Sequence, residues 1–129
     1  MMSEKSNKTV LIVMAHGSRK SEANQEFEAL ARDIATQSHG YAAVKPCFLE
    51  LATPKLADAV EACIGAGHTR FDVYPLFFNQ GNHVTKDIPR QITQLQTQYP
   101  HCHFHCLEYF GLYKQLSQQV LVHIDQQRQ

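Results

Sequence analysis

The hydrophobic pattern of the chain alternates between two kinds of segment. Val10–Ala15 is a continuous apolar run, typical of a strand buried in a parallel sheet. The mainly apolar segments Ala42–Leu49, Phe71–Phe78 and Phe104–Leu107 are predicted to form the other three strands. Between them apolar residues recur at helical spacing. The predicted helices run from about Ser21 to near Gly40, from Pro54 (with Thr53 as its cap) to Gly65 or Gly67, from about Val84 or later to Thr97, and from Leu112 to Ile124. This order predicts a small, doubly wound, flavodoxin-like α/β domain with four parallel strands and helices on both faces.

Prolines and polar residues refine these boundaries. Thr53 followed by Pro54 is typical of a helix start, with Thr as the cap and Pro at the first helical position. Pro89 fits a helix only in its first turn. The polar segment 1–8 is predicted to be a flexible head, and residues 9–129 a single domain, because no repeat or linker interrupts them.

Composition excludes several classes of protein. Twelve Lys and Arg balance twelve Asp and Glu, so no net charge attracts nucleic acid or an anionic membrane. The apolar run near the start, Val10–Ala15, is far shorter than the ~20 residues of a membrane-spanning helix. The four cysteines form no C-x-x-C pair, which predicts mostly free thiols in a reducing compartment. We therefore expect a cytoplasmic protein that binds neither nucleic acid nor membrane.

Three chemically useful side chains follow the first three predicted strands. His16 and Glu50 follow strands 1 and 2 directly, and His83 follows strand 3 after a short loop. In open α/β sheets ligands bind at the carboxyl ends of the strands, at the point where the strand order reverses. Two imidazoles and a carboxylate at one edge predict a site for a borderline metal ion or for proton transfer. Gly17 and Gly81, beside the two histidines, allow the backbone to approach a ligand.

Other polar groups leave alternatives open. Arg19, Lys20, Lys86 and Arg90 flank the two histidine loops and either bind substrate carboxylates or only solvate the surface. The alternating histidines at 101, 103 and 105 are interpreted as the solvent-exposed face of a half-exposed strand rather than as a metal site, because alternate side chains of one strand rarely meet at a single ion. No glycine-rich phosphate loop follows the first strand, so a nucleotide-binding protein is only a distant alternative.

Taken together, the strand-end segments resemble one protein family. The segments are Ala15–Arg19 (AHGSR), Phe48–Pro54 (FLELATP) and Pro75–Pro89 (PLFFNQGNHVTKDIP). In this order and spacing they resemble the small, single-unit sirohydrochlorin chelatases, which are class II chelatases of cobalamin and siroheme biosynthesis. The resemblance covers nearly the whole chain, from the first strand to the last helix.

The resemblance implies a function and a set of site residues. It implies insertion of Co²⁺ or Fe²⁺ into sirohydrochlorin without ATP, with the metal as substrate, no permanently bound cofactor, and a homodimer as the working form. His16 and His83 would face the macrocycle as metal ligands or proton acceptors, with Glu50 as their acidic partner. The residues assigned to binding the carboxylate-bearing tetrapyrrole are Ser18, Arg19, Gly81, Asn82, Lys86 and Arg90.

One position departs from the family pattern. Many members carry arginine between the glycine and the histidine of the second loop, where this chain has Asn82. Loss of that arginine removes one clamp for a substrate carboxylate. The alternative function is therefore a carrier that binds a metal or a tetrapyrrole in the same cleft without turnover, with His101, His103 and His105 as storage ligands.

Overall fold

The computed structural model describes residues 8–79, 81 and 83–128, apart from the side chains of residues 83 and 84. The predicted head therefore lies outside the described residues except for Lys8, and so does Asn82. The strands are β1 (Thr9–Ala15), β2 (Ala43–Phe48), β3 (Arg70–Pro75) and β4 (His103–Cys106). The helices are α1 (Ser21–Gln37), α2 (Leu56–Gly65), α3 (Ile88–Gln98) and α4 (Leu116–Gln127), with a π-helical turn at His83–Asp87 and a 3-10 turn at Phe110–Leu112.

The four strands form one parallel sheet in the order β2-β1-β3-β4. The chain leaves β1 toward β2, then returns past β1 to β3, so the strand order reverses between β1 and β3. This confirms the predicted fold class and the predicted position of the reversal. β1 and β3 are the two central strands of the sheet, and four residues of β1, Val10, Ile12, Val13 and Met14, have no exposed surface.

One face of the sheet carries most of the core. Side chains of alternate β1 residues pack there with buried residues of α2 and α3, among them Leu56, Val60, Ile88 and Leu95. Phe71 of β3 stacks on Phe104 of β4, with ring centroids 5.3 Å apart. Pro89 lies in the first turn of α3, as its fixed backbone angle requires.

The opposite face is covered only in part. Helix α1 packs over β2, where Phe27 meets Phe48 with ring centroids 5.5 Å apart. The β4 side of this face is open, and His103 and His105 are exposed. Helix α4 buries no residue, although the regular fold would place the last helix here. Among the described residues no helix is both long and apolar enough to span a membrane.

The prediction that Thr53 caps the second helix is wrong. Helix α2 begins at Leu56, and the backbone N–H of Lys55 donates to the Asp58 carboxylate at 2.9 Å. The residues just before α2 lie alongside the end of β2 instead, because the N–H of Phe48 donates to the carbonyl of Pro54 at 2.8 Å. A hydrogen bond to the neighbouring strand thus holds Pro54 outside the helix.

Two other predicted boundaries differ from the structure. Strand β3 ends at Pro75 rather than at Phe78, and the apolar residues beyond it belong to a loop at the sheet edge. The last helix begins at Leu116 rather than at Leu112, because the chain first forms the 3-10 turn Phe110–Leu112. The helix predicted from about Val84 or later agrees with the structure, in which a π-helical turn is followed by an α-helix from Ile88.

Candidate functional site

The carboxyl ends of β1 and β2 bring His16 and Glu50 together. Beyond the strands the ladder continues for two hydrogen bonds, from the N–H of Leu49 to the carbonyl of Ala15 at 2.8 Å and from the N–H of Glu50 to the carbonyl of His16 at 3.0 Å. The His16 Nε2 atom lies 3.0 Å from Glu50 Oε2. Both side chains are about half exposed, at 48% and 40%, so the pair opens to solvent at the edge of the sheet.

Gly17 makes this close approach possible. Its φ of +101° is rarely adopted by residues that carry a side chain. A Cβ atom at this position would lie 1.8 Å from the carbonyl oxygen of Glu50, inside any van der Waals contact. Glycine is therefore required here for the chain to turn directly after His16 while the backbone of Glu50 passes alongside.

Ser18 is held by the first turn of α1. Its N–H donates to Asn24 Oδ1 at 3.0 Å, and Asn24 Nδ2 donates back to the Ser18 carbonyl at 2.8 Å. The Ser18 hydroxyl also accepts a hydrogen bond from the N–H of Lys20 at 3.0 Å. These bonds fix the segment that leaves β1, whereas the neighbouring side chain of Arg19 is exposed.

We predict that Asn24→Ala lowers the free energy of unfolding by about 2 kcal/mol, because both of these half-buried hydrogen bonds are lost. Chemical denaturation followed by circular dichroism measures the change. Asn24→Asp is the matched control, since it keeps an acceptor for the Ser18 N–H and should lose roughly half as much. An equal loss in both variants would contradict this assignment.

The loop after β3 continues the same edge. The N–H of Leu76 donates to the carbonyl of Met14 at 2.8 Å, and the ring of Phe77 lies 6.0 Å from the His16 imidazole, centroid to centroid. The next residue, Phe78, exposes 69% of its surface. Phe77 thus lies against the His16 ring, while the side chain of Phe78 is exposed to solvent.

The second histidine loop is described only in part. The backbone of His83 begins the π-helical turn, and the N–H and hydroxyl of Thr85 donate to the carbonyl of Gly81 at 3.1 and 3.2 Å. Lys86 is exposed, and Arg90 lies 3.5 Å from the carboxylate of Asp87 on the same helical surface. The predicted approach of the His83 side chain to His16, and the role of Asn82, lie outside the described residues.

The described geometry suits acid–base and metal chemistry based on imidazole and carboxylate. When neutral His16 donates from Nε2 to Glu50, its Nδ1 atom carries the ring lone pair that accepts a proton or binds a metal. Burial raises the pKa of the Cys47 thiol to about 12, so that it offers no thiolate at neutral pH. All four cysteines are free, as predicted.

The histidines near β4 do not assemble a metal site. His101 precedes the strand, so only His103 and His105 share its exposed face. His105 Nδ1 lies 3.5 Å from the carboxylate of Asp72, which also accepts a hydrogen bond from the Tyr41 hydroxyl at 2.6 Å. Across residues 8–79, 81 and 83–128, with side chains 83 and 84 set aside, no three His, Cys, Asp or Glu side chains are grouped as a metal site would require.

Two residues of the site were missed by sequence reasoning. Asn24 was not singled out. An asparagine in the first turn of the helix after His16–Ser18 is nevertheless a signal, because its side-chain amide can hydrogen-bond to the backbone of that loop. Phe77 was assigned to a strand, because its apolar character continues that of β3. Its contact with His16 carries no signal in a single sequence.

Comparison with known proteins finds relatives of this chain. A family model described as CbiX matches residues 10–127. The chain is 37% identical over 79 residues to the chloroplastic sirohydrochlorin ferrochelatase of Arabidopsis thaliana, and 35% identical over 80 residues to the sirohydrochlorin cobaltochelatase of Methanosarcina barkeri. These alignments cover 61% and 62% of this chain, but only 35% and 61% of the two relatives.

The fold is also similar to that of a solved structure. A protein described as a cobalamin biosynthesis CbiX protein, from Marinobacter aquaeolei, superimposes with a TM-score of 0.81 at 27% identity. The superposition covers 92% of this chain and 93% of that one.

Proposed function

Because this chain belongs to the CbiX family, we propose that it inserts a divalent metal, Co²⁺ or Fe²⁺, into sirohydrochlorin without ATP. The relatives it matches are named for both metals, as a ferrochelatase and a cobaltochelatase. The proposed place of the reaction is cobalamin or siroheme biosynthesis, with the metal as a substrate and no permanently bound cofactor. The chain spans between about one third and two thirds of the length of those relatives, so its own site must support the activity.

The observation that carries the proposal is the contact between His16 and Glu50. Metal insertion must remove two protons from pyrrole nitrogens and release water from the ion. A histidine and a carboxylate 3.0 Å apart, half exposed at the edge of a sheet, form a pair that can accept a proton from a ligand and hold it. Imidazole and carboxylate are also suitable ligands for Co²⁺ and Fe²⁺.

We assign complementary roles to these side chains. His16 accepts a proton from the macrocycle at Nδ1, and Glu50 orients the imidazole through Nε2 and stabilises the imidazolium that forms. His83, at the start of the π-helical turn, is proposed as the second ligand or base. The substrate carboxylates are proposed to bind Arg19, Lys86 and Arg90, together with the loop residues Ser18, Gly81 and Asn82.

An anaerobic absorbance assay tests the proposal. Enzyme at low concentration is mixed with excess metal-free sirohydrochlorin and either Co²⁺ or Fe²⁺, and the rate is compared with that of the reaction without protein. Many turnovers per site, well above that baseline, are expected in at least one of the two assays. A spectral change that stops at one product per site would instead support a carrier.

We also propose that the working form is a homodimer. Helix α4 has 12 residues and buries none of them, and a helix of this length is marginal in water without a packing surface. Val120, Leu121 and Ile124 lie on one side of the helix and expose 45–57% of their surfaces, which makes an apolar patch on the order of 250 Å². A second copy supplies both an apolar partner for this helix and a cover for the open β4 side of the sheet.

We predict that the double variant Val120→Asp and Ile124→Asp is monomeric, because two charges would have to be buried in the interface. Sedimentation velocity measures the mass, with the wild type expected at about twice the mass of the chain. Gln126→Asp places a charge on the other side of the same exposed helix, so it is the matched control and should remain dimeric. Equal masses for the wild type and the double variant would refute the role of α4.

The cytoplasm is proposed as the compartment of this protein. Support comes from the four free cysteines, since thiols persist in a reducing environment.

A further inference from the structure

Phe78 is the most exposed of the large apolar side chains that the structure describes, with 69% of its surface accessible. It directly follows Phe77, whose ring backs the His16 imidazole, and it precedes the second histidine loop. Its aromatic ring is therefore presented to solvent at the same edge of the sheet as the His16–Glu50 pair.

The Phe78 ring is held in position by contacts with other aromatic side chains. Phe110 meets Phe78 edge to face, with ring centroids 5.6 Å apart and an interplanar angle of 65°. Tyr113 lies beyond Phe110 at 6.4 Å and 21°. An aromatic ring held in this way keeps one surface for contact while losing little further freedom when a ligand binds.

The backbone of Phe77 and Phe78 is held in position by the turn that contains Gly111. The N–H of Gly111 donates to the carbonyl of Phe77 at 2.8 Å. A Cβ atom on Gly111 would lie 1.8 Å from the carbonyl oxygen of Phe78, so that only glycine lets the 3-10 turn approach this loop. The turn after β4 thus supports the loop after β3 at the edge where the site lies.

We propose that Phe78 is a specificity-determining residue that binds the tetrapyrrole by stacking against the flat face of the macrocycle. The inference rests on the proposed function. A conjugated macrocycle offers a large flat apolar surface, and an exposed aromatic ring is the side chain that matches it best. The charged side chains of the site bind the carboxylates at the rim, whereas Phe78 binds the ring system itself. It takes no part in proton transfer or metal binding.

The proposal predicts a selective loss of tetrapyrrole affinity. Phe78→Ala should raise both the KM and the Kd for sirohydrochlorin about tenfold, because the stacking surface is removed. The kcat and the KM for Co²⁺ should change less than twofold. Phe78→Tyr should restore wild-type values, since its ring presents the same face. Leu30→Ala, which removes an exposed apolar side chain from α1, is the matched control and should have no effect.

Fluorescence titration of metal-free sirohydrochlorin measures the Kd without turnover, and steady-state assays measure the KM values. The stacking role is refuted if wild type and Phe78→Ala bind the tetrapyrrole equally, or if Phe78→Ala lowers kcat with the Kd unchanged. A change of mass in sedimentation would also overturn it, by making Phe78 a contact between copies. Wild-type protein that binds sirohydrochlorin through Phe78 but never metallates it would refute the proposed function alone, and wild-type protein that does not bind it refutes both.

Discussion

His16→Ala is expected to lower kcat for metal insertion by a factor of about 100 or more, which is typical for loss of a positioned proton acceptor. In the proposed mechanism the imidazole of His16 links the macrocycle to Glu50, and its Nε2 atom lies 3.0 Å from Glu50 Oε2. Alanine leaves the carboxylate without the ring through which it acts. The Kd for metal-free sirohydrochlorin should change less than threefold, because the loss concerns proton transfer rather than stacking or contacts with substrate carboxylates.

Two comparisons make the experiment decisive. His39→Ala removes an exposed histidine at the opposite, amino edge of the sheet, and it should retain wild-type activity. Glu50→Gln should lose about tenfold in kcat, because an amide still accepts a hydrogen bond from Nε2 but no longer stabilises the imidazolium. If His16→Ala and His39→Ala had the same kcat, His16 would have no part in the chemistry.

The positions of His16 and Glu50 could be predicted because they depend on strong local signals. His16 follows a wholly apolar run, Glu50 follows a mainly apolar segment, and the alternation of strands and helices required a parallel sheet. In such a sheet, side chains that follow neighbouring strands meet at one edge. The contact distance was not predictable, because it depends on the turn at Gly17 and on two backbone hydrogen bonds beyond the strands.

The wrong boundaries share a physical cause, which is tertiary contact that overrides a local pattern. Pro54 has the sequence context of a helix start, but its carbonyl is bound by the N–H of Phe48 in the neighbouring strand. Phe77 and Phe78 continue the apolar pattern of β3, yet one packs on His16 and the other remains exposed. Apolar residues near a site can serve a ligand rather than the core, and a single sequence does not separate these two uses.

Helix α4 illustrates a different limit. Its apolar residues at 116, 120 and 124 correctly predicted a helix, because their spacing reports one apolar face. The same spacing carries no information about which surface covers that face. In this chain no residue of the helix is buried, and the spacing of its apolar residues could not reveal this.

Gly17→Ala is expected to lower the free energy of unfolding by about 3 kcal/mol or more, a large loss that is typical of substitutions that force a steric clash or backbone strain. The new Cβ would lie 1.8 Å from the carbonyl oxygen of Glu50, and both groups belong to the backbone or are fixed to it, so no flexible side chain can move away. The φ of +101° adds strain. The melting temperature should fall by roughly 10 °C in differential scanning calorimetry.

Two other glycines separate the causes of this loss. Gly67 has the same φ of +101°, but a Cβ there meets nothing within 4 Å, so Gly67→Ala should cost only about 1–2 kcal/mol from backbone strain. Gly65 has neither a positive φ nor a neighbour within 4 Å, and Gly65→Ala should be neutral or slightly stabilising. The excess loss in Gly17→Ala over Gly67→Ala therefore measures the close approach of the two backbones. Because relief of the clash must move Glu50 away from His16, kcat should fall at least tenfold at temperatures where the variant is still folded, and an unchanged kcat would show that the close approach serves stability alone.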